Sequence, residues 1–294
     1  MLGRFGMDAG SVLGVEIASD SVRILELQRR RGRHEVAAWV VEPIRGALRG
    51  GGDTEVQAMA LRQAWRRCGS RSRRVALAVP GSQVICKVGQ LPAALAEPER
   101  EAHLLADAER LFPFPIDDLA LDFQVLGISQ QAPHMLDVLV GAARQSVLAP
   151  LLQPFEAAGL EVVAVEVDSL ALRRLQASDS CRPLLQVEAD SLTLHGWPDG
   201  PLPWRKAQRI EPGVGPTEFL ARLESLLEGD SPFELSAGLM VGGGAATDAC
   251  VRSLARHFGF PCERVCPQRV HAASLPDRCG AMVLPLGLAL GGTQ

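Results

Sequence analysis

No uninterrupted apolar run in the 294-residue sequence is long enough to span a bilayer. The longest near the end, AMVLPLGLALGG, is broken by a proline and several glycines. The opening MLGRFGMDAG lacks the apolar core of a secretory signal. The seven cysteines are odd in number and follow no framework spacing, which points to reduced thiols in a cytosol. Cys262 and Cys266, with His257 and Cys279 nearby, make only a C-x3-C pair, a poor zinc signal beside the small buried cysteines of an ordinary core. A net charge of −4 leaves no electrostatic footprint for nucleic acid. The basic runs RRRGRH (Arg29–His34) and RRCGSRSRR (Arg66–Arg74) sit between apolar segments, where solvated turns and helix ends are expected. These absences predict a soluble cytoplasmic chain with no metal and no nucleic-acid partner. Membrane contact is expected only through other proteins.

What is present is an ordinary globular composition, 47% hydrophobic and 22% charged, in a chain long enough for two lobes. LGVEIASDSVRILEL (Leu13–Leu27) reads as two short strands around a polar turn, followed by a third strand over His34–Ile44. Gly46–Asp53 is a flexible connection. Thr54–Gly69 has helical apolar spacing and a terminal glycine, and Arg74–Ser82 is a nearly all-apolar strand ending at Pro-Gly. From Gln83 the order is strand, helix (Glu97–Phe112), strand (Ala120–Ile128), strand (Met135–Ala143), helix (Gln145–Leu160), strand. That β-α-β-β-α-β order is the order of a ferredoxin-like unit, inserted over residues 81–164. Residues 1–80 with 165–180 form a first lobe and residues 181–294 a second. Cys181–Gly200 has the outline of the opening hairpin and suggests an internal duplication. Thr217–Gly229 is an amphipathic helix, and Ala237–Gly259 a strand, a glycine turn and a helix.

Two hairpins and a strand-GGG-helix junction are the parts of an actin-like nucleotide fold of α/β class, with duplicated ribonuclease H-like lobes. Turn amides and hydroxyls bind phosphate, a carboxylate positions magnesium, and glycine lets backbone come close. The vestigial nucleotide site would comprise Glu16, Ser19, Ser21, Arg23, Gly242, Gly243, Gly244 and Ala245. Glu16 has two readings: an acid pairing with Arg23 or capping turn amides, or a residue with a residual metal or nucleotide role. Aromatic residues are only 4% of the chain, yet Phe112, Phe114 and Phe123 cluster beside Pro113 and Pro115. Core packing and a partner groove are both open for them.

Several stretches resemble the PilM family, the actin-like proteins of type IV pilus assembly related to the cell-division protein FtsA. They are LGVEIASDSVRILEL, VALAVPGSQVICKV, AERLFPFPIDDLALDFQVLG, LLQPFEAAGLEVVAVEVDSLALRR, LMVGGGAATDACVRSLARHFGFPCERVCP and PLGLAL. The departures from the family are pointed. Glu16 stands for the usual Asp, Ala18 for Gly and Arg23 for Lys. The second D-I-G turn is Gln186-Val187-Glu188 or, shifted, Glu188-Ala189-Asp190, neither with the glycine. If Ala18 required positive φ, its Cβ would cost roughly 1–2 kcal/mol. About forty residues before LMVGGG replace most of a helical subdomain, which implies a truncated second lobe. The resemblance therefore implies no catalytic residue, and ATP and magnesium bound weakly or not at all. It implies an adaptor at the inner membrane. The partner would be the N-terminal tail of a PilN-like protein (with PilO), held near Phe112, Phe114, Ile116, Leu119, Leu121 and Phe123. An active actin-fold ATPase and a type II secretion L-like scaffold are the alternatives.

Overall fold

A computed structural model describes residues 11–44, 54–176, 182–198, 200–228, 232–233, 235–265, 270–271 and 280–292. The expected connection at Gly46–Asp53, together with Cys266 and Cys279, lies outside them.

The first lobe begins with an antiparallel meander of β1 (Leu13–Ile17), β2 (Ser21–Arg30) and β3 (Arg33–Pro43). Arg31 and Gly32 take φ of 48° and 81°, the left-handed pair that a two-residue hairpin turn requires. After α1 (Thr54–Cys68), β4 (Arg74–Val79) returns parallel to β1. The chain then leaves this sheet. β5 (Val84–Pro92), α2 (Glu97–Ala106), α3 (Ala108–Leu111), β6 (Leu119–Ile128) and β7 (Met135–Arg144) build a separate three-stranded antiparallel sheet in the order β5-β7-β6. It comes back through α4 (Gln145–Ala158) to β8 (Glu161–Val167), which pairs parallel with β4, and enters α5 (Asp168–Arg173).

This corrects the expected ferredoxin-like unit. The inserted sheet has three strands, not four, and the excursion ends at Arg144. Leu148 and Phe155 of α4 share a buried core with Leu61 and Ala64 of α1. Val162, Ala164, Val165 and Val167 make β8 an apolar strand covered on both faces, as a strand joining a parallel sheet must be.

The second lobe repeats the first. β9 (Leu184–Val187), β10 (Ser191–Gly196) and β11 (Trp204–Arg209) form the antiparallel meander. α6 (Pro216–Leu227) follows, then β12 (Leu239–Gly242) parallel to β9, α7 (Asp248–Phe258), and β13 (Cys262–Arg264) parallel to β12. Thr247 caps α7 by accepting the Cys250 amide at 3.1 Å, and Gly259 ends it at φ 73°. Three antiparallel strands followed by two parallel ones is the arrangement of both sheets, so the duplication is structural. β14 (Val270–His271) crosses back to the outer edge of β3.

The chain closes with α8 (Val283–Gly291), buried at every position. A helix apolar on all sides belongs in a core. Here α8 and α5 lie in one cluster with Leu25 and Ala76 of the first sheet and Leu184 and Met240 of the second. Glycines make the seams. A Cβ on Gly14 would fall on the Pro285 carbonyl, and one on Gly287 on the Ala171 carbonyl. Gly14→Ala and Gly287→Ala should each cost about 1–3 kcal/mol through overpacking, read as a lowered urea midpoint. An unchanged midpoint would contradict this seating of α8.

Candidate functional site

The two hairpin turns are superposable in their bonding. Ala18 N–H donates to Ser21 O at 2.8 Å, and Glu188 N–H donates to Ser191 O at 2.9 Å. Ile44 N–H reaches Asp20 O, and Ile210 N–H reaches Asp190 O, in the same way. These bonds decide the register: Gln186-Val187-Glu188 is the counterpart of Glu16-Ile17-Ala18. Glu188 therefore occupies the position at which a phosphate-binding turn has glycine. Neither Ala18 nor Glu188 has positive φ; among the described residues Arg31 is the one non-glycine residue that does. The backbone cost considered for Ala18 is not incurred. Neither position requires glycine for its backbone here, and what the side chains change is the room between the turns.

The room is filled by a buried ionic cluster. Across β1 and β2, Glu16 faces Arg23. Arg23, only 1% exposed, places Nη1 at 3.1 Å from Glu16 Oε2 and at 2.9 Å from Glu188 Oε1. Its Nη2 lies 2.6 Å from Glu188 Oε2, giving a bidentate pair across the lobes. Nη2 also lies 3.5 Å from Asp20 Oδ1, and Nε donates to Ser21 Oγ at 3.2 Å. Gln186 Nε2 donates to Glu16 Oε1 at 3.1 Å and to Glu188 Oε1 at 3.2 Å. The glycine junction completes the cage, with Gly244 N–H at 3.1 and 3.2 Å from the two Glu188 oxygens.

The glycines fit this cage. Gly243 has φ 103°, and a Cβ there would strike the Val187 backbone. A Cβ on Gly244 would strike Arg23 Nη2. Gly242 packs against Val283 of α8, and the Ala245 N–H donates to Val187 O at 3.0 Å. Ser21 is buried and donates to Asp20 Oδ1 at 2.7 Å, whereas Ser19 is half-buried in the turn. Thus the structure gathers seven of the eight nominated residues around the Arg23–Glu188 pair or its supporting turn. Gly242 joins them through packing.

Two hollows flank the cluster. One of about 500 Å³ is lined by Asp20, Arg23, Pro43, Gly244, Thr247 and Arg264. The other, about 450 Å³ and mostly apolar, is lined by Glu188, Ile210, Val214, Phe219, Ala245 and Ala249. Glu188 lines the second, and its partners Arg23 and Gly244 line the first.

Sequence reasoning missed a second interlobe clasp. Asp168, at the start of α5, accepts the Gly81 and Ser169 amides at 2.9 and 2.7 Å and Arg205 Nε of β11 at 2.9 Å. Ser169 Oγ lies 2.8 Å from His195 Nδ1, and Trp197 Nε1 donates to Ser169 O at 2.9 Å. The Ser-His contact has a nucleophile–base distance, but both residues are completely buried and Asp168 contacts the serine instead of the imidazole. Burial pushes the His195 ring down to about 4, against the pull of Asp168. The Ser169–His195 contact is uncharged while Asp168–Arg205 is an ion pair, and nothing in the sequence marks these segments as neighbours.

The nominated partner residues divide. Phe112 and Leu119, at 3% and 8% exposure, are core residues of the inserted sheet. Phe114, Leu121 and Phe123 are half-buried against that core, and Ile116 is exposed. The Arg144 guanidinium lies 5.2 Å from the Phe114 ring centre. Asp118 of the same motif accepts both Ser146 N–H and Ser146 Oγ–H at 2.8 Å, which caps α4. Those bonds hold its carboxyl below the usual range. His257 pairs with Glu224 at 2.6 Å, and among the described residues no group of His, Cys, Asp and Glu is arranged to hold a metal.

Paired sheets of this order, hairpin turns facing each other and helices between them define an actin-like fold. A chain of a PilM-PilN type IV pilus biogenesis complex shares it, with TM-score 0.68 and 21% identity over 98% of this chain and 100% of that one. The ethanolamine utilization protein EutJ from Carboxydothermus hydrogenoformans has TM-score 0.50 and 13% identity over 97% and 90% of the two chains. The cytoplasmic domain of EpsL, an inner membrane component of the type II secretion system of Vibrio cholerae, has TM-score 0.47 and 14% identity over 96% and 95%. At the sequence level, the profile of type IV pilus assembly protein PilM matches residues 14–191. That match covers more than half of the sequence, and the chain belongs to the PilM family.

Burial raises the Glu16 carboxyl to about 7; the Arg23 charge opposes this and the Glu188 charge adds to it. A raised carboxyl binds its proton more tightly in the folded chain. Its stabilising contribution is full below about 4.5 and is lost as pH rises through about 7. His195, held down, acts in the opposite direction over an overlapping range. The clean observable is the difference between wild type and Glu16→Gln, followed by urea unfolding. Stability of wild type relative to the variant should fall between pH 4.5 and 7. A flat difference would show that Glu16 is not held in this environment.

Proposed function

We propose that this chain is a cytoplasmic adaptor of the type IV pilus inner-membrane platform, peripheral at the membrane. It binds the N-terminal tail of a PilN-like membrane protein, with PilO alongside, and needs no nucleotide cycle to do so. The carrying observation is the distribution of apolar surface. Val88, Leu105, Ile116, Val125, Leu126 and Ile128 are large, exposed and all in the inserted segment. Elsewhere among the described residues only Met59 and Leu202 are comparable. Concentrated exposed apolar surface marks an interaction site.

The strand geometry suits an extended peptide. β6 is an edge strand, paired on one side only, and its outer half carries Val125, Leu126 and Ile128. A tail segment added there gains main-chain bonds along the edge and side-chain contacts with those residues. The candidate surface therefore moves outward from Phe112 and Leu119, which support it from below, to Ile116 and the end of β6. The solved PilM-PilN complex, which shares the fold, supports a PilN-like partner. No helix among the described residues is long and apolar enough to cross a membrane, which agrees with attachment through a partner.

Nucleotide binding is weak or absent in this reading. Arg23 and the Gly244 amide already serve Glu188. Glu16 accepts from Arg23 and Gln186, so magnesium would have to displace both.

Calorimetry with a synthetic PilN-like tail should give the same affinity with and without Mg-ATP. Ile128→Asp, at a solvent-facing position, should weaken binding by about tenfold or more, since a charge there must be desolvated. Binding that requires Mg-ATP, or that ignores Ile128→Asp and Ile116→Asp together, would overturn the assignment.

A further inference from the structure

Glu188 does more than obstruct a phosphate site. We propose that its carboxylate is an intramolecular ligand, a built-in anion that takes the place of an external oxyanion and holds the two lobes closed. This rests on the reading that the nucleotide site is blocked, and it is independent of the partner.

Four features of the carboxylate support a ligand's role. It sits at 8% exposure where its counterpart in the first turn, Ala18, has no polar side chain. Both of its oxygens are engaged by the fork of a single buried guanidinium, at 2.9 and 2.6 Å. Both also face one glycine amide, at 3.1 and 3.2 Å. A fixed cation combined with a backbone N–H at a glycine turn is the donor set that binds phosphate and sulfate in proteins. Finally, the donors come from both sides of the interface. Arg23 belongs to β2 of the first sheet, whereas Gly244 follows β12 of the second. One anion therefore closes the contact between the lobes.

The charge pattern agrees. Glu16 from β1, Glu188 and Gln186 from the second hairpin, Asp20 from the first turn and the Gly244 amide all surround Arg23 or its ligand. Two buried carboxylates share one guanidinium, and a third reaches it from the surface. A phosphate added to this cluster would meet Glu16, Glu188 and Asp20 gathered around its one guanidinium. Removal of Glu188 would leave Arg23 and the Gly244 N–H facing a space the size of a carboxylate. Deleting Glu188 takes from the buried Arg23 its bidentate partner and leaves Glu16 at 3.1 Å and Asp20 at 3.5 Å, a weaker pairing that destabilises a buried charge. A small external anion can relieve that.

The test is chemical rescue. Glu188→Ala should melt well below wild type in chloride. Inorganic phosphate, and less strongly acetate, should raise its midpoint in a saturable way at constant ionic strength. Wild type should respond to neither beyond the chloride control. Small-angle scattering should show a larger radius of gyration for Glu188→Ala in chloride and a return toward wild type in phosphate. Glu188→Gln fills the space without the charge, so it should melt between the two and ignore phosphate. Equal phosphate responses in wild type and Glu188→Ala would overturn the proposal. So would a Glu188→Ala chain that no anion folds or closes, or a Glu188→Gln chain that melts like wild type. Tail-peptide affinity is not among these readouts, so failure here leaves the adaptor assignment standing on its own test.

Discussion

A guanidinium at 1% exposure cannot remain in a protein interior without carboxylates, and Arg23 takes them from both lobes. Much of the surrounding structure follows from that requirement. Glu16 must lie opposite Arg23 on the neighbouring strand, and the β1–β2 register puts it there. Glu188 must come from the second hairpin turn, so the two turns face each other across the interface. Residue 244 must lack a Cβ, because its space is taken by Arg23. Burial alone would lower the arginine's proton affinity; the Glu16 and Glu188 charges outweigh it and hold the guanidinium charged. Glu16 pays the electrostatic cost, with its carboxyl raised toward neutrality.

Two other contacts give the ionic pair its fixed distance. α5 and α8 fill the space between the sheets with glycine-seamed apolar packing. Asp168 with Arg205, and Ser169 with His195, clasp the lobes at a second place. Apolar helices, the Asp168–Arg205 and Ser169–His195 clasp and the Arg23–Glu188 pair thus restrain the same interface. In an actin-like fold, this interface is where a bound nucleotide would sit. Here the chain's own side chains bond to one another at that interface, and among the described residues the exposed large apolar side chains are concentrated in the inserted segment. A two-lobed body bearing an open sheet edge is the form on which the proposed adaptor role rests.

The hairpins, the paired lobes and the glycine junction were legible from short-range signals. Alternating strands around ASDS and QVEADS, and GGG before a helical pattern, each carry their meaning locally. The register of the second turn was not legible, because Glu188 serves either alignment until the Ser191 and Ile210 bonds are seen. The fourth strand of the insert was misplaced for another reason. Glu161–Val167 follows a helix in the order a ferredoxin-like unit requires, but its apolar run on both faces suits the parallel pairing with β4 that it makes. The FPFPIDD motif turned out to have structural duties. Phe112 fills the small core and Asp118 caps α4, while the exposed Ile128 carried no sequence signal of its own. Arg23 was nominated from its hairpin alone, and its bond to a residue 165 positions away had no trace in either segment.

The most direct measurement is equilibrium binding of Mg-ATP to the wild-type chain, by calorimetry at neutral pH. With Glu188 holding the Arg23 fork and the Gly244 amide, no saturable binding should appear up to millimolar nucleotide. A one-to-one isotherm with micromolar affinity would contradict the closed site and the nucleotide-independent adaptor built on it.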